Sequence, residues 1–315
     1  MKPRFALASL ILLVLATIPT ASAQRFPLPS HLDEVVGAVT TVAASKDETL
    51  LDVARRFDIG QEEILLANPS VDRWLPEDGA PVTLPTAYVL PRTPRSGLVL
   101  NVPEMRLYFY PPRVPREPAV VHTFPVSIGR MDWATPLGRT QIVEKTENPS
   151  WRPPESIIAE RLSRGEPRPE VIPPGPDNPL GQLAMRLGLP GYLIHGTNKP
   201  YGVGMRVTHG CVRMYPEDIA LLYPQVPIGT PVVILNEPIK VGWLGNVLFV
   251  EIHPPLDEQQ ADWNPKERID ELLLLESEKR PFVVDDAALN RAIASQNGIP
   301  APIGRAKAAG TAANP

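Results

Sequence analysis

The sequence predicts a mainly β fold, preceded by a small α/β module and followed by a short α+β extension. Three observations carry this prediction. Proline makes up 40 of the 315 residues, about 13% against a usual 5%, and each proline denies the backbone a helical hydrogen bond. Short runs rich in Val, Ile, Tyr and Phe recur between Gly and Pro, the pattern of strands joined by rigid turns. Helical spacing of apolar residues is confined to a few short windows. Hydrophobic residues at 43% and charged residues at 21% suit a globular chain with a sizeable core. The formal charge of −4, from 31 Lys and Arg against 35 Asp and Glu, supplies no positive field for nucleic acid or an anionic bilayer, so both are set aside as primary partners.

Residues 1–23 place Lys2 and Arg4 before an apolar run at 5–18 and close on Ala21-Ser22-Ala23. Basic, apolar and small-residue segments in that order read as an export signal cut after Ala23. The apolar run is about 14 residues, short of the roughly 20 that span a bilayer. No transmembrane anchor is therefore expected once the signal is removed. No cysteine stands directly after the cut, which excludes a lipoprotein anchor, and the single cysteine, Cys211, cannot form an internal disulfide.

The first module spans 38–86. A β-branched strand at 39–42 leads to Asp47-Glu48-Thr49, with Thr49 or Asp47 as N-cap. Leu50, Val53, Ala54 and Phe57 then form one helical stripe. Gly60 breaks that helix, a second one around Ile64, Leu65 and Ala67 stops at Asn68-Pro69, and Pro81-Val82-Thr83-Leu84-Pro85 returns as a strand. The order is βααβ. A brief linker is expected at 87–95. Residues 97–236 carry strand candidates at 98–102, 105–110, 120–128, 140–143, 192–195 and 232–235, the first two forming a hairpin. Between them, 148–181 is proline-rich with one helical run at 155–162, a length and composition that suit a lid. The extension, 237–302, reads as a hairpin turning at Gly245-Asn246 followed by helices at 266–279 and 285–295. The Ala- and Gly-rich tail at 303–315 is expected to be disordered.

The chemistry lies in residues 193–214. A thiol needs a base to become a nucleophile and donors to hold the oxyanion formed on attack at a carbonyl. His195 and His209 both lie within 16 residues of Cys211. His195 ends a strand candidate, where it can take the thiol proton, and the Gly196 carbonyl can accept the other imidazole N–H and fix its tautomer. Gly210 permits close backbone approach, so that its N–H and that of Cys211 can face an oxyanion. Pro216 starts a short helix whose dipole would favour a thiolate if it pointed at Cys211. Plainer readings remain open: His195, His209 and Cys211 as zinc ligands, Cys211 as core, Arg213 paired with Glu217, and Tyr201 and Trp151 as packing. Lys199 and Arg206 read as solvated groups or substrate-carboxylate contacts, His122 and His253 as structural.

Two resemblances follow from these residues. The acidic residue, Thr and Leu that open the first helix (Glu48-Thr49-Leu50), the Asn68-Pro69 stop and the hydrophobic-Pro ending resemble a LysM carbohydrate-binding module. This implies a grip on the N-acetylglucosamine-containing glycan of peptidoglycan, the alternative being a small domain that binds nothing. Thr208-His209-Gly210-Cys211-Val212-Arg213 with His195-Gly196 resembles the catalytic domain of the L,D-transpeptidases, the YkuD type. Ile128-Gly129-Arg130, Thr135-Pro136-Leu137-Gly138 and Asn148-Pro149-Ser150-Trp151 are similar to further elements of that family. The resemblance implies a β-sandwich-like catalytic domain with Cys211 as nucleophile, His195 as base, Gly196 as orienter, and His209 and Gly210 in support. Arg213, Thr208, Thr197, Tyr201 and Trp151 become substrate-binding candidates, with no cofactor and no metal. It further implies a periplasmic enzyme acting on peptidoglycan stem peptides and transferring them to an amine, that of diaminopimelate or of an outer-membrane lipoprotein. A hydrolase on the same scaffold and a non-catalytic wall-binding protein are the other functional classes.

Overall fold

The computed structural model describes residues 24–28 and 33–307; the export signal at 1–23 and residues 308–315 of the expected tail lie outside the described residues. The N-terminal part contains β1 (Gln24–Pro27), β2 (Val35–Gly37), β3 (Thr40–Ala43), α1 (Leu50–Arg56), α2 (Gln61–Ala67), β4 (Pro81–Leu84) and β5 (Ala87–Val89). Strands β3 and β4 pair antiparallel around the two helices. Thr49 caps α1 by a reciprocal box: Asp52 N–H donates to Thr49 Oγ1 at 3.1 Å and Thr49 N–H to Asp52 Oδ2 at 2.9 Å. The stripe from this helix, Leu50, Val53 and Ala54, packs with Ile59, Ile64, Val82 and Leu84 in a small core. Residues 87–95 are not simply a linker. Ala87, Tyr88 and Val89 are buried as β5, which pairs with β2 because Val35 and Val36 offer a matching apolar edge.

The central part contains β6 (Gly97–Asn101), β7 (Arg106–Tyr110), β8 (Val120–Gly129), β9 (Gly138–Glu147), α3 (Glu155–Ser163), β10 (Leu183–Leu187), β11 (Leu193–His195), β12 (Arg206–Thr208), β13 (Val212–Met214), α4 (Pro216–Leu222) and β14 (Pro231–Leu235). Its strands run β8-β13-β11-β10-β9-β14-β6-β7, and β7 pairs with β8 again, so eight strands close into a ring, with β1 and β12 joined to β8. Closure refines the sandwich-like expectation. The two ten-residue strands β8 and β9 each change partners along their length: β8 pairs with β7 through His122–Pro125 and with β13 through Val126 and Ser127, the corner-turning device by which strands pass between packed sheets. Leu98, Leu107, Phe124, Ile142, Met185, Ile194, Met214 and Ile234 fill the interior.

The C-terminal part contains β15 (Ile239–Leu244), β16 (Val247–Ile252), α5 (Pro265–Lys279), β17 (Phe282–Val284), α6 (Asp286–Ser295) and β18 (Ala301–Ala306). The expected tail is corrected here. Residues 303–306 belong to β18, which sits between β16 and β17, and Ile303 is fully buried in the core around Trp243. One apolar side chain facing a formed sheet outweighs the local Ala and Gly content.

These parts interlock. Gln61 and Glu62 donate their N–H groups to the carbonyls of Val203 and Gly204 at 3.0 and 3.1 Å. A Cβ on Gly204, whose φ is +84, would lie 2.4 Å from Gly60 Cα, so this junction needs glycine. Arg106, 1% exposed, bonds Glu63 at 2.5 Å and Thr123 at 3.0 Å. Behind the ring, the buried Lys240 ammonium lies between Glu104 and Glu251 and donates to Val89 O at 2.5 Å and Tyr108 Oη at 3.2 Å. Among the described residues, no helix is long and apolar enough to cross a membrane.

Candidate active site

Strands β11 and β13 build the site. They pair in parallel, with His195 in register with Arg213. Residues in register project to one face of a sheet, and Cys211, two residues before Arg213, shares it. Both strands are short because Gly196 and Gly210 follow and precede them. Gly210 has φ +98, and a Cβ there would meet Tyr192 Cε1 at 2.5 Å. The turn into Cys211 is pinned by hydroxyls: Thr208 Oγ1 donates to Cys211 O at 2.6 Å, and Thr135 Oγ1 donates to Gly210 O at 2.9 Å while accepting Gly129 N–H at 2.9 Å.

Cys211, His195, His209, Thr208, Arg213 and Trp151 line one cavity of about 380 Å³, together with Arg152, Pro154, Ile157, Leu180, Arg186 and Gly191. His195 Nδ1 lies 2.6 Å from the Gly196 carbonyl, and the Leu180 carbonyl also faces the ring. Burial first, then the charge of Arg213, depress this imidazole to about 4. Burial likewise pushes the Cys211 thiol up, against the smaller pull of the Leu193 N–H and the Arg213 charge. The resting pair is thus a neutral thiol and a neutral imidazole. The thiol points at Gly191 O, 3.7 Å away. Helix α4 begins only at Pro216, beyond β13.

Arg213 is largely buried in the cavity wall, its Nε without a hydrogen-bond partner among the described residues. Glu217, the alternative partner, is taken by Arg55 at 2.9 and 3.2 Å. Desolvation lowers the Arg213 pKa, as expected of a cation waiting for an anion. With Arg152 and Arg186 on the same cavity and no carboxylate among its lining residues, the cleft suits an anionic ligand.

The structure separates two of the sequence candidates from this group. Thr197 is buried but accepts Lys199 N–H on its hydroxyl at 2.9 Å, and Tyr201 is 58% exposed. Neither lines the cavity, because the chain leaves it after Gly196 and runs through a short 3₁₀ turn toward the N-terminal helices. The ring atoms of His195 and His209 find different partners. His209 Nε2 lies 2.8 Å from Glu160 Oε2, and its ring packs on Trp133 at 5.5 Å.

Glu160 is the residue that sequence reading missed. It stands on α3, the single helix of the proline-rich segment, and also holds Arg130 at 2.5 Å and Arg164. These bonds keep its carboxyl down to about 2, His209 being the largest cause. The segment is stitched at its base by Asn178, fully buried, whose Nδ2 donates to Pro149 O at 2.7 Å and whose Oδ1 accepts Leu180 N–H at 2.9 Å. Trp151 bridges to Ile172 across it. Its helical stretch was the only sequence signal for Glu160; the partner 49 residues away was not visible.

Comparisons with known proteins agree on one family. Residues 95–234 match YkuD, the L,D-transpeptidase catalytic domain. The chain is 37% identical over 287 residues to "Probable L,D-transpeptidase YbiS" of Escherichia coli, covering 89% of this chain and 92% of that protein. It is 40% identical over 248 residues to "Probable L,D-transpeptidase YcfS" of the same organism, covering 77% and 76%. It is 36% identical over 298 residues to "Probable L,D-transpeptidase ErfK/SrfK", covering 90% and 92%. The chain belongs to the L,D-transpeptidase family.

Proposed function

We propose that Cys211 attacks the carbonyl between the L-centre of diaminopimelate and the terminal D-Ala of a peptidoglycan tetrapeptide stem. One observation carries the proposal: the only cysteine of the chain opens onto the cavity that holds a neutral imidazole tied by Nδ1 to the Gly196 carbonyl. His195 takes the thiol proton as sulfur bonds to carbon and later gives it to the departing D-Ala amine, leaving a thioester. The backbone N–H groups of Gly210 and Cys211 hold the oxyanion. An amine then attacks the thioester and the thiol is released. Arg213 takes a stem carboxylate, Trp151 and Thr208 shape the cleft, and His209 holds α3 over it through Glu160. No step requires a metal or cofactor.

The amine is that of a lipoprotein lysine or of diaminopimelate on a second stem, and the enzyme works in the periplasm after loss of residues 1–23. The LysM-like module at 38–86 would hold glycan; Trp74 and Leu75, 63% and 73% exposed beside each other, are its most exposed large apolar residues. Mature protein and Cys211→Ala are incubated with a tetrapeptide donor, with and without a lysine-bearing acceptor, and intact masses are recorded. A Cys211-dependent acyl adduct that passes to the amine is expected. Hydrolysis to the tripeptide with the amine ignored would assign a carboxypeptidase, and an unchanged donor would refute the enzyme reading.

A further inference from the structure

Strand β1 lays Gln24 into a polar pocket at the junction of α1, α4 and the ring, with Gln24 in register with Thr123 of β8. The Gln24 backbone N–H donates to Asp58 Oδ2 at 3.1 Å. Its side-chain Nε2 donates to the carbonyls of Phe57 and Asp58, each at 3.0 Å, and its Oε1 accepts from Tyr88 Oη at 3.0 Å. Asp58 and Asp218, each 2% exposed, meet carboxyl to carboxyl. A side-chain hydrogen bond joins the two carboxyls, so one of them carries a proton, and apart from it Asp58 Oδ1 and Asp218 Oδ2 have no hydrogen-bond donor among the described residues. The cation nearest the pair, Arg106, is committed to Glu63, and Arg55 is committed to Glu217. Tyr88 and Tyr215 complete the titratable surroundings. The Gln24 amide thus meets one member of a buried acid pair whose neighbouring cations are committed elsewhere, and a pair in that state is stabilised by a further donor or cation.

We propose that this pocket binds the chain's own α-ammonium, formed when the export signal is cut between Ala23 and Gln24. The proposal rests on cleavage at that bond. Hydrolysis by a signal peptidase consumes one water, leaves a carboxylate on Ala23 of the leader, and leaves an ammonium on Gln24. Three donors and a full charge then replace one neutral donor. The resulting ion pair ties β1 to the end of α1 through Asp58, whose carboxyl in turn meets Asp218 of α4. The Gln24 side-chain amide, held by two carbonyls and Tyr88, is kept from closing on its own α-amine, a cyclisation that would expel ammonia and destroy the cation.

The pH behaviour has a definite sign. With Gln24 in a peptide bond, burial drives Asp58 up to about 6 and Asp218 well above its ordinary value. The folded state then holds more protons than the unfolded chain, so its stability falls as pH rises from about 4 through 6. The ammonium removes that loss until it titrates itself, ordinarily near 8.

The test compares a chain beginning at Gln24, released from a fusion by a protease that leaves no residue, with a chain carrying residues 20–23 ahead of it. At pH 7.5 the Gln24 chain should melt at least about 3 °C higher, with the gap shrinking toward pH 4. Its α-amine should undergo reductive methylation at least tenfold more slowly than that of the extended chain. Asp58→Asn should close the gap, since Asn tolerates the left-handed φ of 56 found there. If that variant does not fold, N-acetylation of Gln24 should reproduce the extended chain's melting. Equal melting with equal methylation would overturn the proposal, as would a periplasmic mature protein that begins elsewhere or ends in the cyclised lactam.

Discussion

The resting protonation of the Cys211–His195 pair makes the sharpest prediction. An ordinary thiol titrates near 8.5; burial places Cys211 above its ordinary value, while His195 is held at about 4. Both shifts have the same effect on the pair: moving the proton from sulfur to imidazole is made uphill, before the two charges attract each other. The neutral thiol and neutral imidazole are therefore the expected resting pair. Alkylation by iodoacetamide should rise about tenfold per pH unit from 6 to 9 with no plateau, and His195 should titrate below pH 5 by NMR. Arg213→Gln removes the second cause of the depressed imidazole. Burial remains, so the His195 titration, and the acid limb of donor acylation with it, should move up toward the ordinary 6.5 without reaching it. A plateau of alkylation below pH 7, or a wild-type His195 titrating near 6.5, would refute this account and establish a preformed ion pair.

Three further outcomes can be measured. Glu160→Gln should loosen the hold on His209 and Arg130, lowering kcat/KM between about 10- and 100-fold and speeding proteolysis within 148–181; because the Glu160 carboxyl sits at about 2, the wild-type clamp should persist as pH falls below 4.3 and fail only toward 2. Lys240→Met leaves Glu104 and Glu251 buried without the cation between them, which should cost about 3–5 kcal/mol in urea unfolding; a loss under 1 kcal/mol would show that the cluster is hydrated. Gly210→Ala meets both the φ of +98 and Tyr192; it should lose at least about 1–3 kcal/mol of stability and abolish acylation, and wild-type rates would show that the turn can rearrange.

Much of the local structure was legible. The reciprocal cap at Thr49 and Asp52, the hairpin over Gly97–Asn101 and Arg106–Tyr110, and the helix that starts at Pro216 all follow from signals within a few residues of one another. What was missed has partners far away. Leu183–Leu187 shows no clean alternation because Ala184, Met185 and Leu187 are buried between neighbouring strands while Arg186 reaches Glu144. Val35–Gly37 and Ala87–Val89 are three-residue strands that exist only because they meet each other. The tail failed for the same reason: Ile303 has one apolar signal in an Ala- and Gly-rich stretch, and its burial depends on Trp243 and Leu248 of a hairpin some sixty residues earlier.

The division at the site is equally physical. Sequence alone brings together Cys211, its neighbouring glycine and hydroxyl, and Arg213, because a tight turn and a nucleophile are specified within six residues. It also makes His195-Gly196 a unit, since a side chain and the next carbonyl meet without long-range help. Only the tertiary structure decides that Arg213 is left facing the cavity, because Arg55 from the N-terminal helices claims Glu217. Only it turns Thr197 and Tyr201 away, and only it sets the helix of the proline-rich segment against His209 through Glu160. Charge pairing and burial are properties of what packs around a residue, and the packing is settled by strands that close a ring over more than a hundred residues of chain.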